Sequence, residues 1–436
     1  MSETHAFSVA FVRREMAPEQ PPPLTESGAI KWLRENLFPT WLNAILTLVS
    51  IYVIYWVLSE ILPWMLAGIW DAGSLTECRA IRDELGYSSA ACWAVIADRW
   101  PQLVFGFYPS ALYWRPVLAF LLLCLAVAPI LYSNLPRKLL WFSMAFPFVA
   151  YLLLWGGTIW VPLVVAAGPA IGVLAYRAVA PLAGSLAAII AAFLAPILWW
   201  MFLAAPLAAA LSSLAPIGLQ AVTSKEIGGF MLAIVIGVSG IVLSLPLGIL
   251  LALGRQSDLF IINKMSVAFI EIIRGVPLIV WLFTASLLLN YFLPPGTNFD
   301  LMLRVIIMVT LFSSAYIAEV VRGGLAALPR GQYEGADSLG LDYWQSMRLI
   351  ILPQALKISI PGIVNTFIGL FKDTVLVVFI GLQDPIGFSN LIRASTDWNG
   401  IYWELFIFIG AMFFIFCFFM SRYSQYLERK LRTDHR

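Results

Sequence analysis

From Leu42 onward the chain keeps returning to unbroken apolar runs, and between residues 138 and 210 it scarcely leaves them. A helix needs about 20 apolar residues to cross the hydrocarbon layer. A backbone in lipid must also satisfy its own hydrogen bonds. Long apolar runs are therefore helical spans, and ten are predicted, at 42–66, 116–132, 138–156, 158–175, 181–208, 229–254, 267–293, 302–321, 357–381 and 402–421. The division of 138–210 into three spans rests on Gly156-Gly157 and on Tyr176-Arg177. Pro162, Pro169, Pro196 and Pro206 are expected to kink these helices, which membrane helices tolerate. Only 12% of the 436 residues are charged, about half the share that a soluble surface uses. The expected fold is an all-α polytopic membrane protein with about 10 transmembrane helices.

Lysine and arginine set the orientation of such a chain. With the N-terminus in the cytoplasm, the inner segments hold Arg13, Arg14, Lys31, Arg34, Arg137, Lys138, Arg177, Arg255 and Lys264. Arg322, Arg330 and Arg348 follow, and the tail adds Arg422, Arg429, Lys430, Arg432 and Arg436. The insert 67–115 then lies outside, with its arginines balanced by Asp71, Glu77, Asp83, Glu84 and Asp98. Both termini are expected to be cytoplasmic, in a bacterial inner membrane. Residues 1–27 are polar, with prolines at 21–23, so no cleavable leader is expected. Trp64, Trp70, Trp93, Trp100 and Trp114 gather around the insert, as interfacial anchors do.

Several functions are excluded. The net charge of +2 comes with no basic face, so no nucleic-acid partner is expected. The only histidines, His5 and His435, lie in the tails, which removes histidine catalysis and most zinc sites, and no metal site is expected. Cys124 and Cys417 sit in apolar runs as small hydrophobes. Cys78 and Cys92 share the polar insert, where an oxidising exterior favours a disulfide; the alternative is two free thiols. No G-x-x-x-x-G-K-[ST] run occurs, so no cofactor is expected on this chain, and ATP would be used by a partner.

The longest polar interruption of the second half is 322–349, which contains Arg330-Gly-Gln-Tyr-Glu334-Gly-Ala-Asp-Ser-Leu-Gly340. It reads as two short helices broken at Gly340, with Asp342 a candidate N-cap for the second. Ala336 and Gly340 are four apart and would share a face, and Ile350-Ile-Leu-Pro353 leads back to the membrane. The segment is either a docking element or an ordinary connection. Glu334-x-Ala336-x3-Gly340-x9-Ile350-x-Leu352-Pro353 resembles the EAA motif of ABC importer permeases. Gly335 stands where that family often has alanine.

Glu271-Ile-Ile-Arg274-Gly-Val-Pro-Leu278, Ala315-Tyr-Ile-Ala-Glu319-Val-Val-Arg322, Leu352-Pro-Gln-Ala355, Phe371-Lys-Asp-Thr374 and Ile380-Gly-Leu are similar to the polar amino-acid branch of those permeases. The nearest likeness is to the general L-amino-acid permeases. The resemblance covers roughly 220–425 and implies several things. Residues 221–425 would be a five-helix permease core, and 42–220 an accessory membrane region carrying the insert 67–115. Tails at 1–41 and 426–436 would flank them. The loop would be a coupling helix, with Glu334, Gly335, Ala336, Gly340, Ile350, Leu352 and Pro353 meeting a separate ATP-binding subunit. A periplasmic amino-acid-binding protein and a second permease subunit, copy or paralogue, are the other implied partners, with membrane lipid around them. The implied activity is import of polar L-amino acids by alternating access. The alternative is an ion-coupled secondary amino-acid transporter.

Ionisable groups at membrane depth are costly and are functional or paired. Lys372 and Asp373 are expected near the midplane, either lining the pathway or holding a structural network. Thr374, Ser286, Asn290, Ser313, Ser314, Asn365 and Thr366 are further pathway candidates, though hydroxyls in membrane helices often bond their own backbone. Glu271 with Arg274, and Glu319 with Arg322, share a spacing of three and read as intrahelical ion pairs or as an inner gate.

Overall fold

The computed structural model describes residues 28–132, 134–288 and 300–431. Asn290, both histidines and the last tail arginines lie outside the described residues. The chain forms two units. One holds the described residues up to Ile69 together with Ala80–Ala91, and the other holds Trp70–Arg79 and everything described from Cys92 on.

The first unit carries α1 (Gly28–Asn36) and α2 (Trp41–Leu66). Thr40 caps α2 by accepting the Asn43 N–H at 3.2 Å. The 26 residues of α2 are apolar on every side and none is buried, so lipid is its solvent.

In the insert, α3 (Leu75–Glu84) and α4 (Ala94–Phe105) precede α5 (Trp114–Leu131) and α6 (Leu139–Trp155). Next, α7 (Trp160–Leu198) runs through a π turn into α8 (Ala204–Leu214), a largely apolar stretch of 55 residues. At about 1.5 Å per residue, a straight helix of that length would be far longer than a bilayer is thick. The chain folds back instead. Gly184 takes φ +82°, where a side chain is strained, and breaks the helix there. The indole N–H groups of Trp199 and Trp200 donate to the carbonyls of Val164 (2.9 Å) and Val165 (3.0 Å) on the other arm. The strands β1 (Gly157–Thr158) and β2 (Gly218–Leu219) pair antiparallel and close the base of the hairpin. The expected turn at Tyr176-Arg177 is thus displaced to Gly184. Backbone conformation decides the turn here, and Arg177 stays within the helix.

The remaining elements are α9 (Gly229–Arg255), α10 (Phe260–Gly275), α11 (Leu278–Phe283) with a π turn to Leu288, and α12 (Leu301–Ala326). Then come α13 (Arg330–Ser338), α14 (Tyr343–Ser346), α15 (Leu352–Asp373) with a 3-10 extension to Ile380, α16 (Pro385–Arg393) and α17 (Trp403–Leu431). Among the described residues, seven helices are long and apolar enough to cross a membrane, and α10 with α11, bent by 102°, makes an eighth span. The 17-residue α6 and the two arms of the hairpin broken at Gly184 lie over the expected spans 138–156, 158–175 and 181–208. The fold is all-α and polytopic.

The centre of the second unit is α9 laid along α12. Lipid gives apolar helices no reason to leave it, so association depends on close packing and small residues. Gly248 shows how close. A Cβ there would fall 2.6 Å from Ile317 Cγ2 and 2.9 Å from the Ser314 carbonyl oxygen. At one end of α9, the Gly229 N–H donates to the Gln383 carbonyl (2.9 Å) beside the insert. Arg255, at the other end, belongs to the charged cluster described below. These are the insert end and the loop end of the core.

The insert is tied into its own end. Cys78 and Cys92 form a disulfide, and the Cys92 N–H donates to the buried Glu404 Oε1 at 2.8 Å. Trp398 Nε1 donates to Asp98 Oδ2 at 2.9 Å, and Arg99 bridges Asp98 (2.8 Å) and Asp397 (3.7 Å). Asp384 caps α16, its Oδ1 accepting the Gly387 N–H at 2.8 Å, while its buried Oδ2 has no hydrogen-bond partner among the described residues.

Two outcomes are expected. Gly248→Val should force α9 and α12 apart and cost roughly 1–3 kcal/mol. A melting midpoint in detergent equal to the parent's would show that the interface yields freely. Burial pushes the Asp384 carboxyl up to about 6 from the ordinary 3.8, partly offset by backbone N–H groups, Gly387's first. The folded state then holds a proton that the unfolded chain has lost. Asp384 should therefore make stability fall as pH rises from about 4 to about 6 and add no slope above that. Asp384→Asn should remove this slope in melting curves run across pH 4–7, and an unchanged slope would show that other groups set it.

Candidate functional site

The loop 322–353 is built as a rigid projection. Pro329 starts α13 with its missing N–H at no cost, and Ala336 on that helix is fully buried. Leu339 ends the helix, and Gly340 takes φ +70° beyond it. Gly340 is therefore exposed and not helical, so it shares no helix face with Ala336, contrary to the spacing argument. Asp342 caps α14 in a reciprocal capping box: its Oδ1 accepts the Gln345 N–H (2.8 Å), and Gln345 Oε1 accepts its own N–H (3.2 Å).

A π turn at Met347–Ile351 then carries the helix directly into α15, with Pro353 in its first turn. That span starts at Tyr343 rather than near residue 357. Gln354 Nε2 donates to Gln332 Oε1 (2.9 Å), which pins the loop to the span. Glu334 and Gly335 are exposed, Ile350 and Leu352 half-buried, and Pro353 exposed. Around them stand Leu339, Tyr343, Trp344 and Leu349, all exposed and large. Their apolar surface beside the motif went unremarked in the sequence, where aromatic residues are common.

Behind the loop lies one charged cluster. Glu319 on α12 is mostly buried and faces three guanidiniums. Arg255 from α9 donates to its Oε1 and also to Glu271 Oε1 at 3.1 Å. Arg322 contacts its Oε2 through Nε and Nη2, each at 3.0 Å. Arg274 from α10 reaches its Oε1 only at 3.8 Å and stacks over the Tyr316 ring, 5.3 Å from the centroid. The intrahelical Glu319–Arg322 pair forms as expected. Glu271 does not pair with Arg274, because the Arg255 guanidinium arrives between helices and takes both glutamates. Arg255, read from the sequence only as an orientation signal, is the residue that joins the two predicted pairs.

The other polar candidates do not converge. The hydroxyls of Ser286, Ser314, Thr366 and Thr374 each donate to a carbonyl three or four residues back in their own helix. Ser313 is buried, and Asn365 and Lys372 are exposed on the span. Phe371 packs on Phe230 (ring centroids 5.9 Å apart) and against Gly237. Lys372 and Asp373 therefore stand level with the first third of α9, toward its Gly229 end.

A family described as the binding-protein-dependent transport system inner membrane component matches residues 244–433. The glutamate/glutamine/aspartate/asparagine transport system permease protein BztC of Rhodobacter capsulatus is 59% identical over 98% of this chain and 99% of its own length. The chain belongs to the ABC amino-acid permease family. The inner membrane amino-acid ABC transporter permease protein YhdY of Escherichia coli is 38% identical over 95% of this permease and 96% of its own length. One solved chain, from an amino acid ABC transporter with histidines, is 31% identical over 45% of this permease and 90% of that chain, with a TM-score of 0.41. Both permease relatives match this chain along nearly its whole length, and this membership displaces the ion-coupled secondary transporter.

Glu319→Gln should leave three guanidiniums facing a neutral amide. Removing one partner from a buried ion pair costs about 3–5 kcal/mol, and Glu319 keeps a little exposure, so a loss near 3 kcal/mol is expected, read as a lower melting midpoint in detergent. A variant as stable as the parent would show that water already screens the cluster.

Proposed function

We propose that this permease imports polar L-amino acids, with acidic amino acids and their amides as the cargo class, across a bacterial inner membrane. The cargo class rests on the end-to-end match to a relative whose name specifies glutamate, glutamine, aspartate and asparagine. Both termini and the 322–353 loop face the cytoplasm in this reading, and the insert faces the periplasm. The clustering of lysine and arginine supports that orientation.

Nucleotide hydrolysis belongs to a separate ATP-binding subunit, which docks on α13 and α14. Glu334 and Gly335 offer the polar part of the contact, and Leu339, Tyr343, Trp344 and Leu349 the apolar part. A periplasmic binding protein delivers cargo at the insert end, and a second permease subunit completes the pathway. Closure of the ATPase pair pushes the loop, and the stiff link from α14 into α15 passes that push into the membrane. ATP acts by binding one of the two access states better than the other.

The experiment is a pull-down of the intact chain from mild detergent beside Glu334→Lys and Trp344→Ala. An ATPase should co-purify with the parent and be reduced at least ~10-fold in each variant, since a loss of 1.4 kcal/mol is already tenfold. Retention of the ATPase by both variants would remove the loop from the docking site. Absence of any nucleotide-binding protein with the parent would remove the coupling scheme.

A further inference from the structure

Far from the charged cluster, at the insert end of the second unit, lies a cavity of about 530 Å³. Leu75, Arg79, Tyr402, Trp403, Glu404 and Phe406 are among its lining residues. Leu75 and Arg79 are one turn apart on α3 and share a face, while the others come from the start of α17 and the residue before it.

Two charged side chains meet this cavity with bonding capacity to spare. Arg79 is exposed and makes no ion pair or hydrogen bond among the described residues. Glu404 is only 7% exposed. Its Oε1 accepts the Cys92 N–H at 2.8 Å, and its Oε2 has no hydrogen-bond partner among the described residues. A buried carboxylate oxygen without a donor is costly, so a donor from outside the chain is the missing partner. Trp403 beside it is 72% exposed and offers a free aromatic face, which favours a cation. Arg393 is already committed, stacked over the Tyr402 ring at 3.6 Å and bonded to Asn390 Oδ1 at 3.3 Å. The cavity therefore asks for an anion at Arg79 and a hydrogen-bonding cation at Glu404.

Depth says where such a ligand comes from. Between Glu404 and Arg422, residues 405–421 of α17 carry no charge. At about 1.5 Å per residue they span roughly 26 Å, close to the thickness of the hydrocarbon layer. Glu404 thus stands at the headgroup level. Along the membrane side of α17, Phe406, Gly410 and Phe414 follow at every fourth position, all exposed, and nothing lies within 4 Å of a Cβ built on Gly410. That lane is shaped for acyl chains running down from the cavity.

We propose that the cavity binds the headgroup of an ethanolamine phospholipid. The lipid ammonium donates to Glu404 Oε2, the Arg79 guanidinium donates to the phosphate, and the acyl chains follow the Phe406–Gly410–Phe414 lane. A choline headgroup has the same charges but no N–H to donate, and a glycerol headgroup has no cation, so neither satisfies Glu404. Because α3 supplies one wall and α17 the other, the bound lipid also fastens the insert to the core.

The test uses the full chain in mild detergent, titrated with dioleoyl phosphatidylethanolamine, phosphatidylcholine or phosphatidylglycerol. Bound lipid is counted by native mass spectrometry, and folding is checked by the melting midpoint without added lipid. The parent should bind the ethanolamine lipid about 10-fold more tightly than the other two, the size of one charge-assisted hydrogen bond. Glu404→Gln keeps an acceptor for the Cys92 N–H and should abolish the preference over the choline lipid. Arg79→Gln should weaken all three lipids by a similar factor, about 10-fold, because each carries the phosphate. Equal affinities in the parent overturn the proposal, as does a preference that survives in Glu404→Gln or an Arg79→Gln variant that binds as the parent does. If Glu404→Gln does not fold, the parent's ranking and Arg79→Gln decide. Displacement of the ethanolamine lipid by excess free glutamate would give the cavity to an amino acid and overturn the lipid. No arm reads transport, so the importer reading stands or falls separately.

Discussion

Glu319 is the one carboxylate on which the loop end of the core depends. Three helices bring a guanidinium to it, α9 through Arg255, α10 through Arg274 and α12 through Arg322. Three arginines packed this closely would repel one another, and no packing of apolar side chains offsets that. The partly buried carboxylate turns the repulsion into an attachment, and Glu271 supplies the second negative charge through Arg255. Because α12 continues through Gly323 and Gly324 toward the loop, the cluster sits at the point where motion of α13 would enter the membrane.

Between the ends of the core the attachment is of another kind. Lipid tails are as apolar as leucine, so helices associate there through close contact and not through escape from water. The approach of α9 to Ile317 at Gly248 is one instance. A buried hydroxyl serves the same helices: Ser359 Oγ shares its one proton between Ala355 O in its own helix (2.8 Å) and Val320 O in α12 (3.2 Å). A polar atom satisfied in this way is already committed. That explains why a list of membrane-embedded serines and threonines gives a poor guide to the path of a solute.

The sequence was legible where one physical rule governs and illegible where two segments must meet. Span position follows from the length of apolar runs, and seven helices, or eight with the bent pair counted as one span, are long and apolar enough among the described residues. The Asp342 cap and the break at Gly340 are local, and both form. The hairpin turn was misplaced because Tyr176-Arg177 is polar and Gly184 is not, although the left-handed backbone at Gly184 makes the turn. The start of the helix that carries Lys372 is expected near residue 357 but lies at Tyr343, because the π turn at Met347–Ile351 lets the loop helix run on into the span. Glu271 was given the wrong partner because a spacing of three describes one helix, whereas Arg255 arrives from another. The exposed Tyr343 and Trp344 had no signal in a chain that is 14% aromatic.

The same helix connects the two ends. The first residue of α9 hydrogen-bonds Gln383 next to the insert, and its last residue holds Glu319 and Glu271. A 27-residue helix fixed at both termini transmits displacement along its length and resists bending. The insert, with its disulfide and its buried Glu404 contact, stiffens one fixture, and the charged cluster stiffens the other. The bend between α10 and α11 is held as well: the Trp281 indole N–H donates across it to the Ile273 carbonyl at 3.2 Å, and Leu278 and Leu282 beyond it are buried in the core. Displacement of any other element in this unit is therefore taken up against α9, which is held at both of its ends.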